Sequence, residues 1–323
     1  MKIISSKFSL NCLGPGILLC MLTMGSGEDA SAQFIGGPSG ADSGIAGGPS
    51  PADAVAASKQ GISLENYTLD PENATHWKLP RGLEEVSGLA MTGDNRLLAH
   101  NDERAIVYEI DFQNGSIVKA FQLSDTNYPA AGDFEGIATT DDGIFLVTSS
   151  GRLYECREGN AGESILFNVY TTGVGRDCEI EGLAYDHTRR ELILMCKEAR
   201  NLDMEGQLAL CRWSIDNKQL DKDRRTVIPV DDFSRHIKGK KFHPSGIERH
   251  PVSGNYYIVA ARQGAIAEMT PGGRVVAVRK LPAKWHRQVE GIAFAADGTL
   301  IVADEGAGRK GRLTLYPVSD RIQ

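Results

Sequence analysis

The sequence predicts an all-β chain folded as a five-bladed β-propeller, and three observations carry that expectation. Short apolar runs are broken at even intervals by turn signals such as Asp141-Asp142-Gly143, Ser253-Gly254-Asn255, Pro271-Gly272-Gly273 and Asp297-Gly298. An oxygen-bearing residue followed by Gly, then Leu or Ile, then usually Ala recurs five times: Ser87-Gly88-Leu89-Ala90, Glu135-Gly136-Ile137-Ala138, Glu181-Gly182-Leu183-Ala184, Ser245-Gly246-Ile247-Glu248 and Glu290-Gly291-Ile292-Ala293. The steps between them are 48, 46, 64 and 45 residues, and a period near 45 to 50 is the length of one four-stranded blade.

Each repeat continues in the same way. A second strand is expected over Arg96–His100, Ile144–Thr148, Leu192–Cys196, Tyr256–Ala260 and Leu300–Ala303, and a third over Ile106–Asp111, Arg152–Cys156, Leu208–Ile215, Ala265–Met269 and Leu313–Tyr316. The long step is explained by a polar insertion between Asp216 and Lys241, placed on an outer loop. Too few residues follow Tyr316 for a fourth strand, so Leu64–Leu79 is expected to supply it and close the ring. A sixth blade inside the insertion is the architectural alternative.

The chain divides into three parts. Residues 1–32 read as a secretory signal: Lys2 and Lys7, an apolar stretch from Ile17 to Met24, and Ala30-Ser31-Ala32 before Gln33. That stretch is too short to span a bilayer, and a lipoprotein signal at Cys20 is the rival reading. Residues 33–61 are a Gly, Pro, Ser and Ala tether, and 62–323 are the propeller. Export, to the periplasm, cell envelope or beyond, is therefore expected, with no transmembrane segment in the mature chain and a monomer in solution.

Composition limits the partners. With 41% hydrophobic and 24% charged residues the chain has enough apolar side chain for a core. A net charge of −7 and a pI near 5.6 leave no basic surface for nucleic acid and suit a cation better. Cys156, Cys178, Cys196 and Cys211 remain after the signal, in a compartment that permits disulfides. Cys196 and Cys211, on two strands of one hairpin, are the expected pair, leaving Cys156 with Cys178; four buried free thiols are the alternative.

A propeller sets the same position of every blade at one height around one axis, so Ser87, Glu135, Glu181, Ser245 and Glu290 are expected to converge on the central channel. Three ionised carboxylates about 5 Å apart at an effective dielectric near 20 would repel by about 3 kcal/mol a pair, or about 10 in all. Protons or a cation must neutralise them. Calcium, with six to eight hard oxygen ligands in flexible geometry, is the expected ion; the alternative is that the five residues cap strand starts against backbone. Magnesium would keep its waters, and zinc would want His or Cys.

The turns ending the second strands are polar and are expected to return to the same mouth as a charged cup: Asp102, Glu103 and Arg104, then Arg152, then Lys197, Glu198 and Arg200, then Arg262, then Asp304 and Glu305. Such a cup suits a phosphate or carboxylate, and a solvated set of local salt bridges is the plainer reading. His243 and His286, just before two of the motifs, are candidate proton carriers or packing residues. Gly-x-Ser-x-Gly does not occur, and Gly173-x-Gly175 lacks the third glycine of a dinucleotide site.

The motifs D-F-E-G-I-A at Asp133–Ala138, C-E-I-E-G-L-A-Y-D at Cys178–Asp186, H-P-S-G-I-E at His243–Glu248 and Q-V-E-G-I-A at Gln288–Ala293 resemble those of the SdiA-regulated (YjiK-like) family of exported bacterial propellers, over about Val86–Tyr316. The order Ser, Glu, Glu, Ser, Glu is similar to the calcium ring of the calcium-activated nucleotidases, or apyrases. That resemblance implies Ser87, Glu135, Glu181, Ser245 and Glu290 as ligands of Ca2+, without carrying the activity. The functional expectation is an exported calcium-binding module for a small anionic or cell-envelope ligand. A calcium-dependent phosphoester or phosphoanhydride hydrolase is the alternative, and a lactonase-like enzyme a weaker third.

Overall fold

The computed structural model describes residues 61–199, 206–237 and 241–319. The signal assigned to 1–32 and nearly all of the tether lie outside them. The described chain forms five sheets in sequence order around one axis, with almost no helix, all antiparallel save that Ser164–Ile165 adds in parallel to the outer edge of blade 1.

The five motifs open the innermost strands, Val86–Met91, Phe134–Thr139, Cys178–Asp186, Gly246–Arg249 and Val289–Phe294. Each hydrogen-bonds to the strand that follows it, and the sheets build outward by hairpins. Blade 5 is completed from the other end of the chain. Thr75–Lys78 pairs antiparallel with Arg312–Tyr316, Thr75 opposite Leu315 and Lys78 opposite Arg312, as the shortage of residues after Tyr316 predicts.

The core is divided. Five apolar clusters lie one between each pair of neighbouring blades; one, for example, joins Phe145, Val147 and Leu153 of blade 2 to Leu183, Leu194 and Trp213 of blade 3. The innermost strands are buried on both faces, which is why their sequences run apolar instead of alternating.

Two expectations are corrected. The insertion after Asp216 is not an outer loop: Gln219–Pro229 forms the outermost strand of blade 3, and Val230–Ser234 a short helix behind it. Its alternation of exposed and half-buried residues is that of a sheet edge strand, so the extra length is absorbed within blade 3.

The second correction concerns the cysteines. The disulfide joins Cys178 to Cys196, and Cys156 and Cys211 are buried free thiols. The innermost strand of blade 3 pairs with Glu191–Ala199 through an irregular register that brings Cys178 beside Cys196. On the other side Cys196 faces Ala209, while Cys211 faces Leu194, two residues from the hairpin partner it was taken to be. Cys156 packs between blades 1 and 2, in a different cluster from Cys178.

Candidate functional site

The ring residues owe their aim to a repeated irregularity. In blades 1, 2, 3 and 5 the pairing of the innermost with the second strand slips at the motif: between Val86 and Gly88, Phe134 and Gly136, Ile180 and Leu183, and Val289 and Gly291. The residue left out of register is Ser87, Glu135 or Glu290, and in blade 3 Glu181 together with Gly182. A bulge bends the strand and re-aims one side chain, here at the end of each strand nearest the channel mouth. The glycine that follows lets the next blade close in: a Cβ on Gly136 would stand 2.6 Å from the Leu183 nitrogen, and one on Gly246 only 2.1 Å from the Glu290 carbonyl oxygen.

Below the ring, Leu89, Ile137, Leu183, Ile247 and Ile292 meet as an apolar collar around a narrow void that Ser87, Glu135 and Glu290 also line. Above the ring, a cavity of about 330 Å³ is lined by Glu181, Lys197, His243, Ser245, Arg262, Arg287, Gln288 and Glu290.

The three acids are close enough to disturb one another. Burial pushes the Glu135 carboxyl up to about 9, and the charges of Glu181, Asp133 and Glu290 push the same way. Burial, then Glu181 and Glu305, bring Glu290 to about 8 against the opposing effect of Lys197. Glu181 is raised by burial but is held down by Lys197, whose Nζ donates to its Oε1 at 2.5 Å. One ammonium thus serves three acids, and it sits on Glu181.

The two serines behave differently. Ser245 Oγ donates to the Val289 carbonyl at 2.7 Å and accepts from the Ala261 N–H at 3.0 Å, so its hydroxyl caps a strand start and ties blade 4 to blade 5. Ser87 is buried and lines the void below the ring. Among the described residues, no three His, Cys, Asp or Glu side chains stand close enough as placed to hold a metal ion. The donor chemistry of Glu135, Glu181, Glu290 and Ser87 is that of a hard cation. The Ser245 hydroxyl, already engaged by Val289 and Ala261, keeps one lone pair.

Of the cup candidates, Lys197 and Arg262 line the mouth cavity, and the structure adds Arg287 and Gln288, which directly precede the fifth motif as His243 and Pro244 precede the fourth. Asp304 is not part of the cup. It is buried within blade 5, where Oδ2 bonds His286 Nδ1 at 2.8 Å while His286 Nε2 meets the Tyr316 hydroxyl at 2.7 Å, so His286 has a packing role. Asp102, Glu305 and the nearby Glu85 form an acidic corner: each carboxyl is raised, and Asp102 Oδ1 is buried without a partner. Glu305 also accepts from Gln288 Nε2 at 2.7 Å. Arg104, Arg152 and Glu103 do not line the cavity, Arg152 being exposed at the start of a third strand. The Glu198 side chain and Arg200 lie outside the described residues.

No family model matches this sequence, and no curated protein matches it. Among solved structures the chain is similar to the glutaminyl cyclase of Myxococcus xanthus, at 14% identity over 76% of this chain and 96% of that one, with a TM-score of 0.51. It also matches a glucose dehydrogenase (15% identity, 75% and 98% coverage, TM-score 0.48) and the PQQ-bound aldose sugar dehydrogenase of Streptomyces coelicolor (13%, 76% and 99%, 0.44). The first likeness shows the fold. At these identities it shows nothing more.

Proposed function

We propose that this is an exported propeller whose ring acids take up a calcium ion, and whose mouth above that ion binds a small anionic ligand of the cell envelope. One observation carries the reading: carboxylates from blades 2, 3 and 5 meet at one mouth, Glu181 buried and Glu135 and Glu290 half-buried, with Lys197 bonded to just one of them. Glu135, Glu181 and Glu290 would hold the ion, with Ser87 beside them, and Lys197 would leave Glu181 as the ion enters. The motif likeness to the SdiA-regulated family and the ring order of the calcium-activated nucleotidases support the same assignment. The Cys178–Cys196 disulfide suits an oxidising compartment and supports export.

When bound, calcium would supply a fixed positive charge for an anion. The chain's own contribution is to orient that anion with Lys197, Arg262 and Arg287 around the mouth cavity. The same basic set favours the hydrolase as a second reading, because a phosphoryl group seated there would face both the guanidinium groups and the ring.

The test is metal analysis and calorimetric titration of calcium into chelator-treated protein, alongside Glu135→Gln and Glu290→Gln. Near-stoichiometric calcium, lost in both variants, is expected; no calcium uptake at millimolar concentration would overturn the assignment. Calcium-dependent turnover of a nucleoside diphosphate or phosphorylated sugar would select the hydrolase reading, and none the binding module.

A further inference from the structure

The channel has a second mouth. Where the innermost strands end, all five blades line a cavity of about 360 Å³ with Ala90, Met91, Ala138, Tyr185, Glu248, Arg249, Phe294 and Ala295 among its walls. The apolar collar separates it from the ring. Its size lies at the lower end of small-molecule sites.

Three side chains of its lining keep polar capacity that the protein does not use up. The fourth motif position is Ala90, Ala138, Ala184 and Ala293 in four blades, but Glu248 in blade 4. Among the described residues the Glu248 carboxylate accepts a hydrogen bond from the N–H of its own neighbour Arg249, at 2.7 Å, and burial pushes the acid up to about 8, so at neutral pH it carries a proton to donate. The Tyr185 hydroxyl is buried without a partner. Arg249 Nε is buried without a hydrogen bond, 3.6 Å from Asp186 Oδ1, while its Nη1 lies 3.2 Å from His187 Nδ1. Buried polar groups are as a rule hydrogen-bonded, and an unpaired one is costly unless a ligand completes it. Two unsatisfied donors, the Tyr185 hydroxyl and Arg249 Nε, thus line one cavity together with Glu248, on the neighbouring blades 3 and 4.

We propose that this far mouth is a binding site for a small monocarboxylic acid with an apolar body, its carboxylate held by Tyr185, Glu248 and Arg249 and its body lying on Met91, Phe294 and the alanines. A carboxylate is the acceptor that three donors, one of them charged, hold best. Asp141 on the rim is largely exposed and lies 3.7 Å from Arg190, so it does not oppose the ligand from within the cavity. The site is independent of the calcium assignment.

The experiment is calorimetric titration of hexanoate and of hexanamide into the wild-type protein and Tyr185→Phe. Losing one hydrogen bond to a charged group weakens binding by about tenfold or more. Hexanoate is expected to bind, hexanamide at least about tenfold more weakly, and Tyr185→Phe to lose about tenfold in hexanoate affinity while melting as the wild type does, since its hydroxyl has no internal partner to lose. Glu248→Gln, which keeps a donor at that position, is a second variant expected to stay within a few-fold of wild type. The proposal is overturned if hexanoate does not bind at millimolar concentration, if hexanamide binds as well, or if Tyr185→Phe binds as the wild type does.

Discussion

Replacing Glu135 by Gln in metal-free protein should stabilise it, and the size of the gain follows from the ring. An unfolded glutamate titrates near 4.5, whereas the folded Glu135, half-buried beside Glu181, Asp133 and Glu290, titrates at about 9. Below pH 4.5 both states hold the proton and the folded state suffers no penalty. Between 4.5 and 9 only the unfolded state releases it, so stability falls as pH rises, by up to about 1.4 kcal/mol per unit. At pH 7.5 that amounts to about 4 kcal/mol, or about 2 after allowance for residual solvent screening. Glutamine has no proton to withhold. In excess chelator at pH 7.5, Glu135→Gln is expected to melt about 4 to 8 °C above wild type, and to show a flatter dependence of melting temperature on pH from 5 to 9. Calcium should reverse the order, because at 100 times Kd it adds about 2.7 kcal/mol to a protein that keeps its ligands and little to one that has lost one. A variant that melts below wild type in chelator, with an undiminished pH slope, would refute the electrostatic reasoning.

Three further outcomes are expected. Gly246→Ala would drive a Cβ to 2.1 Å from the Glu290 carbonyl at the contact between blades 4 and 5, and should cost about 2 to 3 kcal/mol in urea denaturation. His286→Ala leaves Asp304 buried without its partner and should cost about 3 kcal/mol or more, with the Tyr316 near-ultraviolet signal altered. Peptide mapping of oxidised protein should recover Cys178–Cys196 with Cys156 and Cys211 free, and Cys178→Ala should lower stability by about 3 kcal/mol, as expected for a bridge spanning 18 residues.

What could be read ahead of the structure was whatever repeats. Five copies of one motif fix five innermost strands, and the shortage of chain after Tyr316 requires closure by a segment such as Thr75–Lys78. The clustering of Glu135, Glu181 and Glu290 followed from the same symmetry. Features that break the repeat were not legible. That Ser245 would donate its hydroxyl to Val289 depends on how closely blade 5 approaches, and that Lys197 would bond Glu181 from its place in the cup is a matter of rotamer. Asp304 sits in a polar run, yet it was drawn inward because His286 lies beneath it. The cysteine pairing failed for a related reason: spacing marks the hairpin between the second and third strands, but the irregular register between the first and second decides which sulfurs meet.

The seam in blade 5 also bears on the kinetics of folding. Thr75 and Leu315 are adjacent in space and lie at opposite ends of the propeller sequence, so the last sheet cannot form until almost the whole domain has been synthesised. Blades 1 to 4 can each zip up by local hairpins, but the circle acquires its cooperativity from one contact of very high sequence separation, which makes ring closure the slow step. A chain built this way stays open while it is being made, and locks only once both of its ends have arrived.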